Sequence, residues 1–188
     1  MDNQVESVVA GAGGISLYKD FLAKVRNDGK YHGVIELVQP NDPEVREIAE
    51  ILSNSPDFIH SAQQFVNTFT SYENEQGDYW HPPKDTLAKE AGDCDCKSIL
   101  LCSILRNRIP AEKIFCAFGL WILDGETTGH MWVVTEDDNG EDRVIESTAG
   151  PDHKLRGRYI LQAMFNDQYC FATPEGLKEF DLHVVNPG

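Results

Sequence analysis

The stretch GDCDCKSILLCSIL, Gly92 to Leu105, decides the fold of this 188-residue chain. At about 100° per residue, the apolar side chains from Ile99 to Leu105 spread around most of the circumference of a helix. Such a helix is buried on nearly all sides. Asp93 is the predicted N-cap and Cys94 the first helical residue. We therefore predict a buried central helix whose polar first turn reaches the surface.

Cys94 stands where this helix begins, and that position suits a reactive thiol. A helix N-terminus carries about half a positive charge and free N–H donors, and both favour a thiolate, the reactive form of cysteine. The same N–H groups could hold an oxyanion. We therefore predict that Cys94 is a nucleophile. The other cysteines lie in apolar surroundings and are expected in the core, except Cys96, which is either core or a neighbour of the nucleophile: Cys102, Cys116 and Cys170.

A zinc site is the main alternative for the clustered cysteines. It needs at least three convergent ligands. Cys94 and Cys96 are two positions apart, and a helix would point them about 200° apart. No second paired motif in the sequence completes a ligand set. We therefore expect no metal and no other cofactor.

The composition argues against several classes of partner. The formal net charge is −15, with 25% charged and 41% hydrophobic residues, as in a globular domain. Nucleic acids and anionic membranes bind basic surfaces, so neither is expected as a partner. No apolar run approaches the roughly 18 residues of a membrane span, and the N-terminus does not look like a secretory signal. An odd, crowded set of cysteines fits a reducing compartment, so a cytoplasmic location is expected.

The N-terminal part of the chain has helical signals. Residues 1–14 are predicted to form a flexible tail, and residues 15–188 a single domain whose part at about 15–75 is helical. A capping residue followed by proline is a strong helix start. We expect three helices there: Ile15–Asn27, one from Asn41-Asp42-Pro43, and one restarted at Ser55-Pro56.

From Ile114 onwards the pattern is that of β-strands. The continuous apolar run IFCAFGLWIL, Ile114 to Leu123, is typical of a buried strand. HMWVV from His130 and RVIES from Arg143 are two shorter candidates. RYILQAMF, residues 158–165, is either another strand or a short helix. Helices followed by antiparallel strands predict an α+β fold in which the buried helix packs on a sheet.

A thiol nucleophile needs a base, and the base needs an acceptor that orients it. Of the six histidines, His130 is the best candidate because it opens a strand. If Glu136–Gly140 form a five-residue loop, His130 lies opposite Glu146 on the same face. If Asn139-Gly140 form a two-residue turn instead, Val133 lies opposite Glu146 and the pair is lost. Both registers remain open.

Three segments together resemble the transglutaminase-like superfamily: WHPPKDTLAKEAGDCDCKSILLCSILR from Trp80, GHMWVV from Gly129 and VIESTAG from Val144. They are similar to the family's nucleophile, histidine and acid segments, and they occur in the family's order. The resemblance covers about Tyr79 to Gly150. This chain departs from the pattern in two places, since Glu146 stands where aspartate is commoner and Cys96 where an acidic residue is frequent.

The resemblance implies a papain-like core and acyl transfer on a protein or peptide amide. Cys94 would attack the carbonyl, His130 would carry the proton, and Glu146 would orient His130. Trp80 would donate its indole N–H to the oxyanion, or else belongs to the core or a pocket wall. Hydrolysis by a cysteine protease or amidase is favoured. The alternatives are a transglutaminase or deamidase that uses an amine acceptor, and a non-catalytic binding module that keeps the fold.

Overall fold

The computed structural model describes residues 15–26, 28–74, 77, 79–137, 139–179 and 183–187. The tail predicted for residues 1–14 lies outside these ranges. The described helices are α1 Pro43–Leu52, α2 Phe58–Phe69, α3 Pro83–Lys89, α4 Cys94–Leu105 and α5 Pro174–Glu179. The described strands are β1 Ser16–Ala23, β2 His32–Gly33, β3 Ser71–Tyr72, β4 Ala91–Gly92, β5 Ile114–Leu123, β6 Glu126–Glu136, β7 Asp142–Ile145, β8 Arg158–Phe165, β9 Cys170–Ala172 and β10 His183–Pro187.

The strands form one large antiparallel sheet with the order β10-β1-β9-β8-β5-β6-β7, and β2 pairs with β1 at its side. Strands β3 and β4 form a separate parallel pair. This mixture of helices and antiparallel strands confirms the α+β class, and the papain-like arrangement stays a prediction. Within the described ranges no helix is long and apolar enough to cross a membrane. The cytoplasmic location also stays a prediction.

The helix expected over Ile15–Asn27 is wrong, because this segment contains strand β1. Its buried apolar residues alternate with more exposed ones, at Phe21, Ala23 and Val25, which is the period of a strand. Both of its main neighbours, β9 and β10, come from the C-terminal end of the chain. The N-terminal part is therefore not purely helical, and the order of helices before strands does not hold.

The other two predicted helices are confirmed, although the second starts later than the Ser55-Pro56 signal. Helix α1 begins at Pro43, and the side chain of Asp42 accepts hydrogen bonds from the backbone N–H groups of the first turn. Helix α2 begins three residues after the Ser55 signal, and Asp57 caps it by accepting from the N–H of His60. Both caps satisfy backbone donors that a helix leaves without internal partners.

Helix α4 is the centre of the fold, as predicted from the opening stretch. Asp93 is its N-cap and accepts from the N–H of Cys96. Every residue from Asp95 to Leu105 is buried, because helices α1, α2 and α3 and strands β5 and β6 all contact α4. Even Lys97 is buried, and its ammonium donates to the carbonyl of Thr70 at 3.0 Å.

The sheet has two different faces around β5. We call the face that packs against α4 the inner face, and its side chains join the main core: Phe118, Met131, Val133, Ala163 and Phe165. We call the opposite face the outer face. Its buried centre is small and aromatic, formed by Ala117, Trp132 and Tyr159.

Strand β8 changes face along its length because of a β-bulge. Phe118 pairs with Ala163, but the next residue of β5, Gly119, pairs with Leu161, so Gln162 has no partner in β5. Ala163 therefore points to the inner face and Leu161 to the outer face, although both have odd numbers. Position 119 needs glycine, since a Cβ there would collide with the carbonyl oxygen of Ile160.

Candidate active site

His130 and Glu146 meet on the outer face of the sheet. The Nε2 atom of His130 lies 2.9 Å from Oε2 of Glu146, and the two side chains are only 11% and 8% exposed. His130 belongs to β6, and Glu146 follows the last residue of β7. The structure therefore brings the predicted base and acid into direct contact.

Neither of the two predicted hairpin registers is right, although the pair forms. Thr135 pairs with Arg143, and a five-residue loop from Asp137 to Glu141 follows β6. The loop has the predicted length but begins one residue later in the chain. Each residue of β6 therefore pairs with a residue of β7 that lies two positions further along than predicted. Because strand faces repeat every two residues, a shift of two preserves the face. Glu146 therefore reaches His130 as a diagonal neighbour rather than from directly opposite.

The loop is closed by Asp137 rather than by a two-residue Asn-Gly turn. The N–H of Asp137 donates to the carbonyl of Glu141 at 2.8 Å. The Asp137 carboxylate accepts from the N–H groups of Asn139 and Glu141. These hydrogen bonds explain why the loop has five residues, and Gly140 supplies the left-handed backbone that it requires, with φ of 82°.

The prediction that His130 opens its strand is wrong, because β6 begins at Glu126 and His130 lies within it. The β5–β6 hairpin continues to a turn at Asp124 and Gly125, which have φ of 51° and 88°. Two consecutive positive φ angles are typical of the tight turns that match the twist of a hairpin. The histidine backbone is therefore held by regular pairing with Gly119 of β5.

The carboxylate of Glu146 accepts four hydrogen bonds. Oε2 accepts from His130 and from the hydroxyl of Tyr159, each at 2.9 Å. Oε1 accepts from the N–H and the hydroxyl of Thr148, at 3.0 and 2.8 Å. Burial alone would raise the pKa of Glu146. The hydrogen bond and the charge of His130, and the two hydrogen bonds from Thr148, outweigh burial and hold that pKa below its ordinary value. The acid is therefore ionised at neutral pH.

Helix α2 holds the backbone that carries this acid. The side-chain amide of Gln63 donates to the carbonyls of Glu146 and Ala149, at 2.8 and 3.1 Å. The amide of Asn67 donates to the carbonyls of Ser147 and Ala149, at 3.2 and 2.6 Å. Neither residue could be identified from the sequence, because polar side chains on an amphipathic helix usually face solvent.

Cys94 reaches the same place from the inner layer. Its thiol accepts a hydrogen bond from the backbone N–H of Met131, the residue after His130. Its carbonyl accepts from the hydroxyl of Ser147, the residue after Glu146, at 3.4 Å. Cys94 is thus linked to the residues that follow His130 and Glu146 in the chain, next to the end of β7.

The thiolate expected at Cys94 is not favoured in this resting site. Burial raises the pKa of the Cys94 thiol to about 12, the charges of Asp95, Asp93 and Glu146 add to that effect, and the N–H of Met131 only partly opposes it. A helix N-terminus contributes about 0.3–1 kcal/mol towards an anion, which is too little to outweigh burial among carboxylates. Cys94 is therefore a protonated thiol at neutral pH.

Trp80 lies in the main core. Its ring stacks on Phe165 at 5.8 Å and meets Phe118 edge-on at 5.4 Å, and only 4% of the residue is exposed. This packing accounts for Trp80 as a core residue, which was one of the two expectations for it. A part in holding an oxyanion stays a prediction.

Cys96 groups with acidic neighbours rather than with Cys94. Ligand-type atoms of Asp93, Asp95 and Cys96 lie within 4.8 Å of one another, and the Cys96 thiol donates to the Asp95 carboxylate at 3.1 Å. Burial and the charge of Asp95 raise the pKa of Cys96 well above its ordinary range. A thiol binds a metal as the thiolate, and the raised pKa of Cys96 disfavours that form. The cluster also holds one cysteine and two carboxylates, whereas the zinc alternative was based on the pair Cys94 and Cys96.

The remaining cysteines are buried, which confirms their assignment to the core: Cys102, Cys116 and Cys170.

Aromatic rings surround His130 on the outer face. The ring centroids of Trp121, Trp132 and Tyr159 lie 5.6, 6.2 and 6.2 Å from that of His130. They limit the access of water to the base. Sequence analysis did not single out any of these rings, and the apolar run that contains Trp121 indicated only a strand.

Comparisons with known proteins give distant structural similarities. No family model matches the chain, and no curated protein matches it. Similar solved structures include LapG from Legionella pneumophila at 16% identity and a TM-score of 0.46, covering 73% of this chain and 92% of that one. An EGTA-treated form has 16% identity and a TM-score of 0.45, with 73% and 94% covered. A calcium-bound form has 17% identity and a TM-score of 0.43, with 73% and 95% covered. A likeness at this level assigns no residue roles.

Proposed function

We propose that the protein catalyses acyl transfer at a protein or peptide amide with water as the acceptor, as a cysteine peptidase or amidase. Cys94 is the nucleophile, His130 the base and Glu146 the acid that orients the base. One observation carries the proposal: the 2.9 Å hydrogen bond between His130 and Glu146 lies beside the residue whose N–H contacts the Cys94 thiol. Nucleophilic catalysis by a thiol requires a base that an acceptor orients, and Glu146 orients His130 in this way.

The first chemical step transfers a proton from the thiol to His130. Glu146 accepts the hydrogen bond from Nε2 of His130. Nδ1 is therefore the ring nitrogen that takes the proton. Because the resting Cys94 is protonated, the sulfur becomes nucleophilic only as the proton leaves during attack on the carbonyl. The ionised Glu146 stabilises the imidazolium that results.

The later steps return the proton and release the products. The C–N bond of the amide breaks as His130 gives its proton to the departing amine, and a thioester on Cys94 remains. His130 then takes a proton from water as the water oxygen attacks the thioester. The carbon–sulfur bond breaks as the carboxylic acid forms, and His130 returns its proton to the departing sulfur, which restores the resting thiol. The backbone N–H of Cys94, at the start of α4, is the proposed oxyanion donor.

The test is to trap the acyl-enzyme with an activated ester and to identify the adduct by mass spectrometry. Wild-type protein should acquire one acyl group on Cys94, and both Cys94→Ala and His130→Ala should abolish it. The matched control is His32→Ala, because His32 on β2 also pairs with a carboxylate, Asp28 at 3.0 Å, but at a more exposed position. Its adduct should equal that of the wild type.

Two results would contradict the proposal. One is an adduct that persists in His130→Ala at the wild-type rate. The other is binding to a protein partner that survives Cys94→Ala when no adduct ever forms, which would favour the non-catalytic module. A screen of peptide amides, run with and without a primary amine, then identifies the acceptor. Incorporation of the amine in place of hydrolysis would replace the peptidase with a transamidating enzyme.

A further inference from the structure

Glu146 shares one carboxylate oxygen between two side chains. Oε2 accepts from His130 on β6 and from the hydroxyl of Tyr159 on β8, and both distances are 2.9 Å. Tyr159 is only 6% exposed. The reaction steps above leave this tyrosine unused. A buried hydroxyl on the oxygen that orients the base will influence how that oxygen acts.

Tyr159 reaches this oxygen only because β8 changes face. Ala163 and Phe165 lie on the inner face, and with unbroken alternation Tyr159 would join them there. The bulge between Phe118 and Gly119 turns Tyr159 to the outer face, where its ring packs 5.1 Å from Trp132. Bulges that re-aim a side chain are common next to active sites.

The geometry points to Tyr159 as a positioning residue for the pair of His130 and Glu146, placed there by the bulge at Gly119. This inference rests on the proposed function. The hydroxyl fixes the carboxylate from the side opposite Thr148, so the acid has donors at both of its oxygens. The hydrogen bond from the Tyr159 hydroxyl also stabilises part of the negative charge on Oε2 of Glu146. His130 therefore faces a weaker acceptor than an unshared carboxylate would be.

Other charged and titratable groups also face this site. Those whose charges interact with Glu146 are Cys94 and Lys97 on α4, Tyr72 on β3 and Tyr159 itself. Asp93 and Asp95 act on Cys94 from the start of α4. Asp137, Asp142, Arg143 and His153 line a cavity next to Glu146. A change that removes only the hydroxyl of Tyr159 leaves all the other groups in place.

The test variant is Tyr159→Phe, which keeps the ring and its packing but removes one oxygen. Glu146 then acts on His130 alone and stabilises the imidazolium more strongly. The acid limb of kcat/KM should move to higher pH by about half a unit, so kcat/KM at pH values below that limb should fall about threefold. An NMR titration of the His130 ring protons should move in the same direction.

The matched control is Tyr169→Phe. The Tyr169 hydroxyl also donates to a glutamate, Glu112 at 3.2 Å, but at an exposed position. Its acid limb and its NMR titration should equal those of the wild type. Gly119→Ala is a second variant, because it disrupts the bulge; where it folds, it should reproduce the shift of Tyr159→Phe and lose more activity.

The NMR titration separates this inference from the proposed function, since it needs no turnover. An unchanged His130 titration in Tyr159→Phe would overturn the inference, whatever the activity. A shifted titration in a protein that never forms an acyl-enzyme would leave the inference standing and overturn the proposed function. Loss of thermal stability in Tyr159→Phe without any change in either pH profile would reduce Tyr159 to a packing role.

Discussion

The inner and outer faces of the sheet differ in what they bury, although the same strands supply both. On β6, Met131 points to the inner face and packs against α4, while its neighbour His130 points to the outer face and binds an acid. The inner face is an apolar core that includes fully buried rings such as Phe118 and Phe165. The outer face buries fewer apolar groups and holds the hydrogen-bonded ionisable ones.

This difference shows how the candidate site is assembled from two layers. Cys94 belongs to α4 and therefore comes from the inner layer, whereas His130 and Glu146 come from the outer face. The layers meet where β7 ends at Ile145 and the N–H of Met131 donates to the thiol. The nucleophile is held by the core layer, while the base on the outer face donates a hydrogen bond to the acid that follows β7.

The largest effect should be on the pH dependence of Cys94 alkylation in His130→Ala. The raised pKa of Cys94, about 12, keeps the thiol protonated below that pH, so the thiolate fraction rises with pH. Without its base, alkylation by iodoacetamide should rise about tenfold per pH unit, or about 10³-fold from pH 7 to pH 10. Labelling rates measured by mass spectrometry check this. A plateau below pH 9 would mean that the inner layer stabilises a thiolate after all.

The next largest effect should come from Glu146→Gln on the outer face. The amide of glutamine places an N–H₂ group opposite either His130 or the N–H of Thr148, both of which donate to the native acid. His130 then loses the orientation that frees Nδ1, and we expect kcat to fall about 100-fold, less than in Cys94→Ala. Steady-state kinetics measure this loss. Glu112→Gln, on the exposed partner of Tyr169, should keep full turnover.

The smallest effect should come from Cys116→Ala on the inner face. Cys116 is fully buried, and its thiol donates to the carbonyl of Ser98 at 3.5 Å. Loss of the sulfur should lower the free energy of unfolding by about 1 kcal/mol, because it leaves a small cavity. Denaturant unfolding measures this change, and acylation of Cys94 per folded molecule should stay the same. A large drop in acylation would show that the two faces are not separate in function.

Local sequence patterns predicted the elements that depend on near neighbours. The cap at Asp93, helix α4 and the bounds of β5 follow from residue types within one or two turns of chain. The partnership of His130 and Glu146 could also be predicted, because it requires only that both side chains share a face. An error of one residue in the loop position left that face unchanged.

Other features could not be predicted because distant parts of the chain determine them. Strand β1 is a strand because β9 and β10 pair with it, and its own short pattern did not distinguish it from a helix. The role of Tyr159 depends on a bulge that only the pairing of β8 with β5 reveals. Gln63 and Asn67 bind carbonyls about 80 residues away, which no local pattern indicates.

The strand order also has a consequence for folding kinetics. Strands β5, β6 and β7 are consecutive hairpins that close short loops, so the half of the sheet that carries His130 can form early. Strand β1 must wait for partners about 150 residues further along the chain, such as Phe171 opposite Leu17. During synthesis the first strand therefore emerges long before its neighbours exist. We expect its docking to be a late, slow event that completes the sheet after the half that carries His130 is already in place.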